Sequence, residues 1–266
     1  MTISLITVCY QSADVIRTAM ESVLRQTWPD IEYLVIDGGS TDGTVDVIRE
    51  YETKFDGRMR WKSERDSGMY DAINKGIRMA TGEVIGILNA DDVLATDEIL
   101  EDVANAFSGD GNPVPDAVYG DIRFVANIKT NSLDELKQEK TARYYSSKYF
   151  RPWLARFGYL PAHPSFYCRR VLFEKLGGYL TDYRIAADHE LMLRFLVKEG
   201  VICRYIPEVF TVMRLGGMST RSLESTVILN RENIRACHTN GIYTNQVMQM
   251  GKYLFKIPGV IFKNGY

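Results

Sequence analysis

Apolar and polar residues fall in blocks along this chain, and the blocks define its elements. Residues 82–94 read GEVIGILNADDVL: Val84, Ile85, Ile87 and Leu88 follow a glycine stop as a run suited to a strand buried on both faces. That run ends abruptly at Asn89, Ala90, Asp91 and Asp92. Residues 3–9 are β-branched and apolar, which predicts a buried first strand. An apolar stripe at Val15, Ile16, Ala19, Met20, Val23 and Leu24 predicts a helix capped by Ser12 or Asp14 and stopped by Thr27, Trp28 and Pro29. Residues 31–36 form a second strand that delivers Asp37, followed by GGSTDGT and a helix reaching about Tyr51. A β-α-β-α alternation implies parallel strands joined by right-handed crossovers.

The alternation continues. Residues 59–62 predict a third strand that exits into SERDSG, and a helix over 69–80 follows, with Ala72, Ile73, Gly76, Ile77 and Ala80 on one face. After the strand ending at Asn89, Thr96 or Asp97 caps a helix to about Phe107, and the Gly/Asn/Pro stretch 109–115 marks a boundary between halves. Beyond it, 117–119 and 122–128 are strand-like and 132–140 reads as a polar, mobile excursion. Tyr145, Tyr149, Trp153 and Phe157 recur at helical spacing, as expected of core with a functional rim. Residues 171–176 and 188–199 predict helices, and 201–206 a strand. The expected organisation is a nucleotide-holding half over 1–108, an acceptor and catalytic half over 109–220, and a helical tail over 221–266.

Composition narrows the class. The 266 residues are 45% hydrophobic and 25% charged, an ordinary soluble globular balance, and the chain is long enough for a full core. A net charge of -2 gives no global attraction to nucleic acid or to an anionic membrane, so any basic surface is local. Cys9, Cys168, Cys203 and Cys237 are scattered without metal-ligand spacing and read as buried thiols in a reducing compartment. The N-terminus enters a strand directly, with no signal-peptide pattern, and no apolar run reaches spanning length; a cytosolic location is the expectation.

The chemistry gathers at predicted strand exits. Two adjacent carboxylates, Asp91 and Asp92, at the carboxyl end of a parallel strand face the crevice where open α/β sheets bind ligands, where a hard divalent cation bridging to phosphate is a natural partner. An isolated ADD also suits a helix-capping turn. Asp37 before a glycine-rich turn suits a base or ribose contact, or equally a capped loop, while the absence of G-x-G-x-x-G and of a P-loop disfavours dinucleotide enzymes and P-loop NTPases. Asp66 reads as a ligand contact or, with Ser67, as a helix cap. Asp37, Asp66 and Asp91 with Asp92 on one sheet edge concentrate negative charge that needs a cation and ligand donors.

The succession ITVCYQS, VIDGGSTDGT, SERDSGMYDAINKG, LNADD and IAADHELMLR resembles family 2 glycosyltransferases over roughly residues 3 to 215. The resemblance implies an α/β GT-A fold, a Rossmann-like mixed, mostly parallel sheet flanked by helices. It implies that Thr7, Tyr10, Asp37, Asp66 and Asp91 line the nucleotide pocket and that the ADD segment is the counterpart of the family's D-x-D motif. Gly38 stands where many relatives carry a second Asp, and Asn89 takes the first D-x-D position, so the metal, Mn2+ or Mg2+, falls to Asp91 with Asp92 beside it. Asp188 matches the family's base position, although as a bare sequence feature it is a helix N-terminal Asp favoured by the helix dipole. The implied reaction is a single displacement with inversion, from a nucleotide-sugar, with uridine favoured. His163, held between Pro161 and Pro164, His189 and Asp92 are expected near sugar or acceptor, a lone His being more often structural; His238 is expected at the surface. Arg214 and the segment 216–219 are expected to close over the diphosphate or to act as a plain hinge.

From Gly241 to Tyr266 the chain has Lys252, Lys256 and Lys263 but no Asp or Glu, among apolar residues such as Leu254, Phe255 and Ile257. Such a segment suits an anionic membrane surface and a lipid-linked acceptor, or packs on the domain or a twin subunit. Two other classes stay open at this point. A sugar-1-phosphate nucleotidyltransferase needs a basic, glycine-rich N-terminal loop that ITVCYQSAD does not supply, and a noncatalytic sugar-nucleotide binder would keep Asp37 and dispense with Asp188.

Overall fold

The computed structural model describes residues 1–108, 113–126, 128, 130–216 and 223–251. The alternation of sequence blocks becomes β1 (Ile3–Cys9), α1 (Ile16–Leu24), β2 (Ile31–Asp37), α2 (Thr44–Lys54), β3 (Met59–Ser63), α3 (Met69–Met79) and β4 (Val84–Ile87). Then follow β5 (Val93–Leu94), α4 (Ile99–Ser108), β6 (Ala117–Val125), α5 (Leu133–Gln138), β7 (Thr141–Tyr145), β8 (Phe166–Arg169) and α6 (Arg170–Leu176). The remaining elements are α7 (Ala187–Leu193), β9 (Cys203–Arg214), α8 (Leu223–Thr239) and α9 (Gln246–Gln249). All strands join one mixed sheet in the order β3-β2-β1-β4-β8-β6-β9-β5, with β7 on β6.

β1 to β4 run parallel, and their register aligns the exits: Cys9 pairs with Asp37, Asp37 with Ser63, and Ile6 with Ile87. β8 is antiparallel to β4 and β6, so the first parallel block meets the second half of the chain through a reversed strand. β1 is buried along its whole length, which explains its unbroken apolar run. Its odd residues Ile3 and Leu5 pack with α1, α2 and α4, while Ile6 and Val8 pack with α3 and α7 on the opposite face.

Several expectations are corrected. Residues 133–138 form α5 rather than a mobile excursion: Ser132 caps it by accepting from Glu135 N, and Leu133 and Leu136 bury against Val93, Val125 and Val212. Residues 141–145 pair with β6 as a strand, and 152–157 form a 3-10 turn, so the aromatic period there is not a core helix; Tyr149 and Trp153 are exposed. β6 and β9 are each longer and more continuous than the predicted pieces. The segment after Leu193 widens into a π turn over Arg194–Lys198. Neither Ser12 nor Asp14 caps α1 by its side chain; its N-cap is Val15. The expected boundary loop lies partly, and the tail beyond Gly251 wholly, outside the described residues. Among the described residues no helix is long and apolar enough to cross a membrane, and all four cysteines are free thiols.

Candidate functional site

The carboxyl edge of the parallel strands builds the first part of the site. The loop after β1 is stitched to the loop after β2: Gln11 N donates to Ser40 Oγ at 2.8 Å, Ser12 N to Thr44 Oγ1 at 2.8 Å and Ala13 N to Asp42 Oδ2 at 3.0 Å. Gln11 holds a left-handed backbone at φ 50 within this junction. Asp37 is fully buried and organises the β2 loop. Its Oδ2 accepts from Gly39 N at 3.1 Å, Ser40 N at 2.9 Å and Ser63 Oγ at 2.6 Å, and its Oδ1 from Ser40 Oγ. Burial pushes this carboxyl up, but the donors of Ser40, Ser63 and Gly39 outweigh it and hold it below the ordinary range.

Tyr10 is 63% exposed beside this loop, and Asp66 stands opposite. A Cβ at Gly38 would lie 2.6 Å from Asp66 Oδ2 and 3.3 Å from the Tyr10 ring. Gly38 therefore lies against both Tyr10 and Asp66, and its lack of a side chain is what lets Asp66 approach. Asp66 Oδ1 accepts from Gly68 N at 2.9 Å; the N-cap of α3 is Gly68, with no side-chain cap from Asp66 or Ser67. Thr7 is fully buried and accepts from Tyr33 Oη at 3.0 Å, so its hydroxyl is engaged within the sheet.

After β4 the chain turns through Asn89 to Asp92. Asp91 is half-buried, whereas Asp92 is 1% exposed and turned inward, its Oδ2 accepting from Asn89 Nδ2 at 2.9 Å. Burial and the neighbouring Asp91 charge push the Asp92 carboxyl well above the usual carboxylate range, with Asn89 and Arg214 opposing. Arg214, at the end of β9, is buried rather than a mobile closing residue. It donates to Asp91 O at 2.5 Å, Thr18 Oγ1 at 3.1 Å and Ile128 O at 3.3 Å, pinning the turn to α1. Of the segment expected to close with it, residues 217–219 lie outside the described residues. Among the described residues no group of three or more His, Cys, Asp or Glu side chains is arranged to hold a metal. One accessible carboxylate with a buried second beside it fits a hard cation that takes most of its ligands from phosphate and water.

The second part of the site comes from α7. Asp188 is half-buried in the first turn and accepts from His189 N at 2.8 Å and from Tyr70 Oη at 3.3 Å. Tyr70 lies in the first turn of α3, four residues after Asp66, so this contact ties the second half of the chain to the acidic strand exits. Burial and the Asp188 charge push the Tyr70 phenol well up, which keeps it protonated, and its single proton is shared between Ile185 O, the nearer acceptor, and Asp188 Oδ1. Tyr179 stacks on Tyr70 with centroids 5.8 Å apart, and its hydroxyl lies 2.6 Å from His163 Nε2. Burial lowers the His163 pKa, with the Asp188 charge opposing, so the ring stays neutral at pH 7. His189 is half-buried beside Asp188 and His238 is exposed.

Two site features escaped the sequence. Glu232 of α8 accepts from the backbone N–H groups of Arg184 at 2.7 Å, Ile185 at 2.9 Å and Ala186 at 2.9 Å, clamping the segment that delivers Asp188. Asn74 brackets Tyr179 by donating to its carbonyl at 2.8 Å and accepting from its N–H at 2.9 Å. A cavity of about 730 Å³ behind Asn74 and Tyr179 is lined by none of the acidic strand exits; its Arg170 and Arg194 pair with Glu174 and Glu190.

Comparison with known proteins bears on this arrangement. Residues 4–176 match the sequence family described as glycosyl transferase family 2. The PGL/p-HBAD biosynthesis glycosyltransferase of Mycobacterium bovis is 31% identical over 209 residues, covering 78% of this chain and 75% of the relative. Among solved structures, S. aureus TarS 1-349 in complex with UDP-GlcNAc superposes with TM-score 0.68 at 16% identity, over 94% of this chain and 69% of that one. The mannosyltransferase PcManGT from Pyrobaculum calidifontis, in complex with GDP-Man and Mn2+, superposes with TM-score 0.59 at 21% identity, over 90% of this chain and 72% of that one. At such identities the two structures speak for the fold alone.

Proposed function

The chain belongs to glycosyl transferase family 2, is a glycosyltransferase and has the GT-A fold; on that premise we propose that it transfers a sugar, with inversion, from a UDP-sugar to a growing, lipid-linked cell-surface glycan. Residues 1–108 hold the nucleotide, 109–220 supply the acceptor site and base, and 221–266 bring the enzyme to the membrane. Tyr10, Asp37 and Asp66 form the nucleoside pocket. Because the Asp37 carboxylate is already engaged by its own loop, the base contact falls to that loop's free edge and to Asp66. Asp91, with Asp92 behind it, would hold a divalent cation, which would supply Lewis-acid stabilisation of the leaving phosphate.

Asp188 takes the proton from the acceptor hydroxyl as that oxygen bonds to the anomeric carbon. The bond from that carbon to the β-phosphate oxygen breaks on the opposite face, and its electron pair leaves with UDP. Tyr70 steadies the Asp188 carboxylate during the attack, and the neutral His163, oriented by Tyr179, lines the sugar or acceptor side with His189. One observation carries the reading: the Tyr70 hydroxyl, rising from the acidic strand exits, meets Asp188 from the far half of the chain.

Calorimetric titration of UDP and GDP, each with Mn2+, with Mg2+ and with chelator, tests it. UDP is expected to bind more tightly with metal than with chelator, and Asp91→Ala to remove that gain. Absence of binding by either nucleotide would overturn the nucleotide-sugar reading.

A further inference from the structure

Two stretches far apart in the chain carry no acidic residue at all: none lies between Glu139 and Glu174, and none follows Glu232. The first contains seven Lys or Arg in 140–173. In a chain of net charge -2 such segments would ordinarily be dispersed by folding, yet here they pack together. Thr244 Oγ1 donates to Arg156 O at 2.6 Å, Gln249 Nε2 donates to the same carbonyl at 3.2 Å, and α9 rests on the 3-10 turn Pro152–Phe157. Between them is a concavity of about 390 Å³ whose lining includes Trp153, Arg156, Lys198 and Tyr243 and no carboxylate.

The exposed side chains of these two packed segments are apolar as well as basic. Tyr149 is 52%, Trp153 60%, Tyr243 69%, Val247 79% and Met250 63% exposed. Lys148 and Arg151 are exposed beside them, and the Lys148 ammonium lies 5.4 Å from the Tyr149 ring centroid. Side chains of this size are seldom left in water as a group. Trp and Tyr among Lys and Arg match the headgroup layer, where amphipathic rings insert and cations meet anionic lipid.

We propose that the face built from residues 148–157 and 240–250 docks on an anionic lipid bilayer. The absence of any carboxylate selects a negatively charged partner, and the mixture of rings and aliphatic tips selects a lipid surface over a hydrophilic polyanion. The surface stands apart from the sugar chemistry and rests on the transferase reading only for its use, which is to hold the enzyme where a lipid-linked acceptor is presented.

Co-sedimentation with vesicles of phosphatidylcholine containing phosphatidylglycerol, and with vesicles of phosphatidylcholine alone, tests the proposal, with UDP titration run on every variant. The wild type is expected to sediment with the anionic vesicles and to be released by salt. Trp153→Ala with Val247→Asp, and separately Lys148→Glu with Arg151→Glu, are each expected to weaken partitioning by about tenfold or more, with UDP affinity unchanged. Failure to sediment with either vesicle would overturn the inference, as would sedimentation that both double variants retain. So would a concentration-dependent dimer abolished by Val247→Asp in the absence of vesicle binding, which would make the face a contact between copies. Loss of UDP binding in the wild type would strike the nucleotide-sugar reading instead and leave the lipid result standing.

Discussion

In the proposed transfer Asp188 takes one proton from a hydroxyl, and its surroundings suit that task. Its Oδ1 accepts from the Tyr70 hydroxyl and from His189 N, which fix the carboxylate's direction. Replacing it with Asn keeps size and part of the hydrogen bonding while removing the basic lone pair. Asp188→Asn is therefore expected to bind UDP like the wild type and to lose about 10²- to 10⁴-fold in sugar transfer; near-normal turnover of that variant, measured by UDP release with acceptor present, would sink the assignment. Asp37 behaves differently from Asp188 because it is spent on its own loop. Five donors, the Cys9 thiol among them, converge on a fully buried carboxylate, so its sequence signature, an acid before GGS, reports loop architecture as much as ligand contact. Asp92 is the opposite case: adjacent to Asp91 in sequence, it is turned into the core, and nothing in the letters ADD tells which of the two faces the cleft.

At the scale of elements, the Asp188 loop is held from both sides, by Tyr70 on α3 and by Glu232 on α8. A carboxylate accepting three backbone N–H groups, that of the N-cap Ala186 and the two before it, fixes the entry of the chain into α7 and places negative charge at its N-terminus. Glu232→Ala is expected to destabilise the protein by roughly 1–3 kcal/mol and to speed amide exchange over 184–190 more than in β1 and β2. Unchanged protection at 184–190 would refute the clamp.

The sequence could show α3, because Ala72, Ile73 and Gly76 recur at helical spacing, and could show β1 and β2 through their unbroken apolar runs. It could not show Glu232, an ordinary acid on a polar helix whose partners lie 46 to 48 residues earlier. α5 was hidden for a related reason: only Leu133 and Leu136 turn inward, too few to make a period. In 141–157 the aromatic spacing mimicked a helix, but pairing with β6 fixed Thr141–Tyr145 as a strand and left Trp153 in solvent. Local pattern identified elements that bury their own face, and tertiary pairing decided the others.

The whole molecule turns on the join between β4 and β8. There the parallel block that carries the acidic exits meets the strands of the second half of the chain, and the join is made by a close approach. A Cβ on Gly86 of β4 would collide with the Tyr167 ring of β8, and that ring packs edge-on to Phe210 of β9 at 5.9 Å. β5, which follows Asp92, crosses back to pair with β9, so the turn bearing the metal candidates is tied into the far half a second time. Two halves coupled through a shared sheet and two reciprocal pairings should unfold together. Gly86→Ala forces Tyr167 to move, an overpacking change of about 1–3 kcal/mol that is expected to lower the thermal midpoint by roughly 3–10 °C in a single transition. Calorimetry reads both the midpoint and the number of transitions. A variant in which one half melts early while UDP binding persists would mean that the nucleotide half folds on its own, and that the Tyr70 to Asp188 contact joins two independent bodies instead of two edges of one.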